Sequence, residues 1–228
     1  PGDVTAPSSL TAAVNGCDAV VHLVGIIRET RGRSFHRVHL HGTRNVIEAC
    51  RQAGVQRLIH MSALGARDRA ASRYHRSKWQ AEQLVRASGL AATILRPSII
   101  FGAGDAFLPM LRGLVTGPPA IPIVGDGMSL LQPIAIEDVV SCFGGALRRG
   151  DTAGHTYELC GPATFGFEQL VDLVAEAVAV EKPKVHLPVW FMRPVTAVLS
   201  RLSSRFPLTS DQLTMLLEDN CCDISDMV

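Results

Sequence analysis

The stretch "VQRLIHMS" (55–62), followed by "SRYHRSKWQAEQLVRASG" (72–89), decides the fold. The first is a short apolar run of strand length, and the second has helical spacing with Gly89 as its stop. Working outward, "AATILRP" (91–97) reads as the next strand. Upstream, "DAVVHLVG" (18–25) is a β-branched run ending in glycine. The segment "SFHRVHLHGTRNVIEACRQAG" (34–54) after it places Phe35, Val38, Val46, Ile47 and Cys50 at helical intervals. Strand and helix alternate, which predicts right-handed βαβ units, a parallel sheet and an α/β fold.

From Ser98 the pattern loosens. "GPPAIPIVGDG" (117–127) is rich in Gly and Pro, "QPIAIEDVVSCFGGALRRG" (132–150) gives a short strand and a helix, and "HTYELCG" (155–161) gives another strand. "TFGFEQLVDLVAEAVAV" (164–180) is an amphipathic helix, and Thr209 with Gln212 forms a capping box. The expected domains are 1–115 and a smaller C-terminal lobe, 116–228, with a return of the chain to the main sheet left open.

The chain has 228 residues, 47% of them apolar, which suffices for a buried core. Its 22 basic and 21 acidic side chains nearly cancel, giving no reason to expect nucleic acid. A small-molecule site is the better expectation. The six cysteines form no C-x-x-C pair, so reduced thiols in a cytoplasm are expected, with Cys221 and Cys222 incidental. No apolar run reaches the ~18–20 residues of a membrane span. The chain starts Pro1-Gly2-Asp3 and enters helix-like sequence before the first strong strand, so it reads as a fragment.

In a parallel sheet, ligands sit beyond the carboxyl ends of the strands. Ser62 and Gly25 are at such ends, as is "RPSIIFG" (96–102). Tyr74 and Lys78 are one helical turn apart on one face. An ammonium near a phenol lowers its pKa and makes it usable as a general acid/base. A serine across the cleft holds the reacting oxygen, and a nicotinamide completes a hydride transfer.

These residues resemble the short-chain dehydrogenase/reductases, in the extended and atypical branch that includes nucleotide-sugar epimerases and dehydratases. The resemblance implies a Rossmann-like doubly wound parallel sheet with its N-terminal strands missing. "GDVT" (2–5) resembles the end of the third strand, with Asp3 and Val4 at the adenine. "HLVG" (22–25) resembles the cofactor loop, giving Leu23, Val24 and Gly25. "YHRSK" resembles the Tyr74/Lys78 pair, and "RPSIIFG" the nicotinamide loop with Pro97, Ile99 and Ile100. "MSALGA", "SRYHRSKWQAEQ" and "FGAGDAFLPML" resemble in particular the NADPH-binding accessory subunit of respiratory complex I and its bacterial relatives. The implied cofactor is NAD or NADP, with NADPH favoured. The glycine-rich phosphate loop would lie upstream, so the chain as given is expected to bind dinucleotide weakly.

Two functions follow. One is an oxidoreductase or epimerase/dehydratase with Ser62, Tyr74 and Lys78 as catalytic residues, acting on a small molecule. The alternative is a non-catalytic NADPH-binding accessory or assembly protein of a respiratory assembly, cytoplasmic and peripheral to the inner membrane. "GAGDAF" (102–107) lacks the third glycine of a phosphate loop and is rejected as one. His36, His39 and His41 invite a metal, but 36 and 39 share a helical face while 41 points elsewhere, so none is expected. "VWFMRPVTAVLSRLSSRF" (189–206) is a basic amphipathic pattern with Trp190, Phe191, Leu199, Leu202 and Phe206 beside Arg193, Arg201 and Arg205. It reads either as packed within its domain or as docked on a membrane or partner.

Overall fold

The computed structural model describes residues 2–202 and 208–224. Its first elements are α1 (Ser8–Val14), β1 (Ala19–His22), a π-helical turn (His36–His41), α2 (Gly42–Ala53), β2 (Arg57–Met61), α3 (Arg73–Arg86) and β3 (Ala91–Pro97). There follow β4 (Ile100–Phe101), α4 (Phe107–Thr116), β5 (Ile121–Val124), β6 (Leu130–Leu131), β7 (Ile134–Ala135), α5 (Ile136–Arg148) and β8 (Thr156–Leu159). The chain ends with β9 (Phe165–Gly166), α6 (Phe167–Ala177), β10 (Lys184–Leu187), α7 (Val189–Leu202) and α8 (Ser210–Leu216). Residues 1–97 with 138–159 form one compact unit, and 98–137 with 160–228 form a second.

In the first unit β1, β2, β3 and β8 make one sheet in that order, parallel throughout, as the strand–helix alternation predicts. Successive side chains point to opposite faces. Leu58, Ala92 and Ile94 pack on one face with Val46, Ile47 and Cys50 of α2, Val85 of α3, and Leu10 and Val14 of α1. Burying each large member of this cluster contributes about 1.5–3 kcal/mol. α2 stops at Gly54, whose left-handed φ of 74° lets its N–H return to the Arg51 and Cys50 carbonyls. α3 starts where the Ser72 hydroxyl accepts the His75 N–H at 3.0 Å, which fixes the register of everything the helix carries.

The π-helical turn corrects one reading of the sequence. At ordinary α-helical spacing His36 and His39 share a face; the wider turn pairs His36 with His41 instead, rings 4.5 Å apart, and sends His39 inward at 1% exposure.

The second unit has a core of Leu111, Val115, Ile121, Ile123, Leu131, Phe167, Val171 and Ala175. A smaller cluster joins Val124 and Met192 to Leu213 of α8, whose Thr209–Gln212 capping box is present as read from the sequence. Cys160 and Cys222 are joined in a disulfide, which overturns the reading of all six cysteines as reduced thiols and of Cys222 as incidental. They are 62 residues apart in sequence, and spacing alone does not reveal the pair; the fold does, by anchoring Asn220 and Cys222 to Leu130 and Gln132. Asp105 of "GAGDAF" accepts the Gly102 and Leu108 amides and so caps the start of α4.

In α7, Met192 is buried, whereas Trp190, Phe191, Val198 and Leu199 are exposed, Trp190 at 76%. The parts of the basic stripe that rest on the side chains of Arg201 and Leu202, and on Arg205 and Phe206, lie outside the described residues. No described helix is long and apolar enough to cross a membrane.

Candidate active site

The site is built where β1 and β2 end and α3 passes over them. Lys78 is 3% exposed, and its ammonium donates to the Met61 carbonyl at 2.6 Å, at the last residue of β2. A Cβ placed on Gly25, in the loop after β1, would lie 3.6 Å from Lys78 Nζ and 3.4 Å from His39 Nε2. A side chain at this position would touch both groups at ordinary contact distance, so Gly25 packs directly beneath the ammonium. Burial pushes the Lys78 amine down to about 8, opposed by the carboxylate of Glu82 one turn on.

Ser62 is also buried, and its hydroxyl donates to Glu82 Oε1 at 2.5 Å. Glu82 has no exposed surface and is held by the fork of Arg96, with Nε to Oε1 and Nη2 to Oε2 both at 2.8 Å. Arg86 adds a third donor at 3.2 Å, and Arg96 continues to Glu158. A charge-assisted bidentate pair of this kind is what permits a carboxylate in the interior. With its proton committed to Glu82, Ser62 presents lone pairs.

Tyr74 is half-buried, with its ring edge-on to Phe35 at 5.9 Å and to His39 at 5.7 Å between centroids. Burial pushes its phenol up to about 12. This overturns the expectation that Lys78 lowers it: desolvation sets the phenol, and the ammonium is hydrogen-bonded to the Met61 carbonyl. His39 Nε2 accepts the Ile26 N–H at 3.0 Å, so Nδ1 carries the proton and donates to Ser77 Oγ at 2.7 Å. Ser77 in turn donates to the Tyr74 carbonyl. Burial, then the Lys78 charge, holds His39 down to about 3, so this relay stays neutral and ties the loop after β1 to the backbone of Tyr74.

Beneath the site lie two more buried histidines. His22 shares a 3.1 Å hydrogen bond with Thr43 Oγ1, and its ring is 5.2 Å from His60, whose two nitrogens have no hydrogen-bond partner. Burial, and then nearby Lys78, pushes His22 down to about 4. Burial, then His22 and Lys78, holds His60 well below the usual range.

The structure thus brings Gly25, Ser62, Tyr74 and Lys78 to one end of the sheet. Pro97 ends β3, and its carbonyl accepts the Leu64 N–H. Leu23 and Val24 are exposed at the end of β1. Asp3, Val4, Ile99 and Ile100 are held by other contacts. Asp3 is exposed and spends Oδ1 on the Thr5 amide and hydroxyl, a turn that holds its carboxyl below the usual range. The Val4 side chain is in the core against Gly42. Ile99 and Ile100 belong to the second unit, bonded or paired to Ile134.

Sequence reasoning missed Glu82, Arg96, His39 and Ser77. Glu82 carried a signal, since Tyr74, Lys78 and Glu82 are spaced four apart on one helix. Arg96 and His39 carried none, because their partners are distant in sequence.

Residues 1–104 match the model of an NAD(P)H-binding family. Over 224 residues the chain is 30% identical to the NADH dehydrogenase (ubiquinone) 1 alpha subcomplex subunit 9, mitochondrial, of Arabidopsis thaliana, covering 96% of this chain and 56% of that protein. It is 26% identical over 222 residues to the NADH-ubiquinone oxidoreductase 40 kDa subunit, mitochondrial, of Neurospora crassa, covering 97% and 58%. The chain therefore spans less than two thirds of the length of these relatives. The dTDP-glucose 4,6-dehydratase DesIV of Streptomyces venezuelae, solved with NAD and TYD bound, superposes with a TM-score of 0.67 at 22% identity, covering 81% of this chain and 66% of that one, and shares the fold. Over residues 1–104 the chain is thus similar to an NAD(P)H-binding family, and over nearly its whole length it is homologous to these NADH dehydrogenase subunits.

Proposed function

We propose that the protein is a nicotinamide-dependent oxidoreductase that works in the direction of carbonyl reduction. The observation that carries this reading is the buried Lys78 ammonium, held at the strand ends beside Gly25 and one turn from Tyr74. Gly25 and Lys78 fit the nicotinamide ribose, the glycine by leaving room and the ammonium by donating to ribose hydroxyls. A reduced nicotinamide supplies a hydride when bound. With its phenol pushed up to about 12, Tyr74 is uncharged at neutral pH and serves as the acid that delivers a proton to the reduced oxygen. Ser62, donating to Glu82, accepts a hydrogen bond from the hydroxyl so formed.

The test is the loss of absorbance of NADH or NADPH when the full-length protein is mixed with carbonyl compounds or quinones. Tyr74→Phe is expected to lower that rate by about 10²-fold or more while leaving cofactor binding intact. Equal rates in the two proteins refute the acid role.

A second reading is favoured by the exposed apolar side chains of α7, Trp190, Phe191, Val198 and Leu199, together with the NADH dehydrogenase subunits among the relatives. On that reading bound NADPH stabilises an accessory protein that docks on a respiratory assembly. Cofactor that stays bound and unconsumed, with co-purification of large partners that Trp190→Ser abolishes, supports it.

A further inference from the structure

We propose that the cleft between α4 and α6 binds a long-chain carboxylate, with the hydrocarbon between the helices and the carboxylate on Arg112. The cleft lies within the second unit and does not depend on the dinucleotide reading. Its volume is about 610 Å³, within the ~300–1,000 Å³ of small-molecule sites. The lining is almost wholly apolar. Phe101, Pro133 and Phe165 line it together with the two helices.

The helices are amphipathic in a way that leaves this slot open. In α4, Leu111 and Val115 go to the core with no exposed surface, while Leu108 and Arg112 line the cleft one turn apart. In α6, Phe167, Val171 and Ala175 are buried, and Leu170, Leu173, Val174 and Ala177 line the cleft. Leu108 and Leu173 remain 39% and 45% exposed, so apolar area stays in water that a hydrocarbon would cover.

The charge selects the head group. Two charged side chains line the cleft, Asp105 and Arg112. The Asp105 carboxylate is occupied by the Gly102 and Leu108 amides. The Arg112 guanidinium has no side-chain acceptor or acid among the described residues. Arg112 is exposed at the cleft and offers a planar carboxylate its guanidinium fork, while the Asp105 carboxylate in the same lining keeps its charge but is turned to the Gly102 and Leu108 amides.

The test is calorimetric titration of the chain with decanoate, dodecanoate and tetradecanoate, each below its micelle concentration, and with the matching primary alcohols. Affinity is expected to rise up to about fourfold for each added methylene that the cleft buries. The alcohols are expected to bind about tenfold more weakly or worse, with Arg112→Glu erasing that preference and Arg112→Lys keeping most of it. Leu173→Trp, at a partly exposed position, is expected to fill the slot and abolish binding without lowering the melting temperature. The proposal is overturned by absence of saturable binding, by alcohols that bind as well as acids, or by binding that Leu173→Trp leaves unchanged. It is equally overturned if sedimentation shows a dimer that Leu173→Arg dissociates and no carboxylate competes with.

Discussion

Lowering the pH from about 7 to about 5 loads protons onto the unfolded chain before the folded one, because His22 and His39 are held down to about 4 and about 3 in the fold. Each ionises near 6.5 when unfolded. A depressed histidine contributes its full stability above the unfolded value and loses it as the pH falls toward the folded value. Between pH 7 and pH 5 each of the two therefore removes about 2 kcal/mol, or about 4 kcal/mol together, from a total that in most domains is only about 5–15 kcal/mol. His60, fully buried and also held low, steepens the loss. Both side chains are at most 3% exposed, so solvent screening does not reduce the effect. Urea unfolding at pH 7, 6 and 5 and constant ionic strength measures it. His22→Gln keeps an amide for Thr43 and removes one titrating ring; it should recover about 2 kcal/mol of the loss between pH 7 and 5. A stability that is level over this range, or a slope that His22→Gln leaves unchanged, refutes the assignment of these rings as buried and neutral.

Arg96→Met strips the bidentate partner from buried Glu82 and should cost about 3–5 kcal/mol in urea unfolding. Adding Glu82→Gln should restore much of it, and no rescue would contradict the ion-pair account. Cys160→Ser opens a loop whose ends are 62 residues apart and should remove about 4 kcal/mol on the chain-entropy estimate. Thiol titration of the unfolded, unreduced protein should find four groups, rising to six after reduction; six from the outset would contradict the disulfide.

The parallel sheet was legible because its strands are short apolar runs separated by helices with clear starts and stops, as in 55–62 and 72–89. The place of Tyr74, Lys78 and Ser62 followed from one rule about strand ends and one about helical spacing. Their electrostatics did not follow. Whether an ammonium lowers a phenol depends on what else it bonds, and the Met61 carbonyl beside Lys78 is contributed by the backbone, which no motif reveals. Ser62 is tied through Glu82 to Arg96, on a strand beyond α3, and the disulfide joins positions 160 and 222; both are products of the tertiary fold. His39 was misplaced because α-helical spacing was assumed where the chain makes a π turn.

On the proposed function, Lys78 and Gly25 form the seat of a nicotinamide dinucleotide. Titrating NADPH fluorescence with the full-length protein, and with Lys78→Met and Gly25→Val, measures it. Saturable binding is expected in the parent and a loss of about tenfold or more in affinity in each variant, the first by removing donors and the second by pushing side-chain bulk against the ammonium and His39. Equal affinity in all three proteins would contradict it.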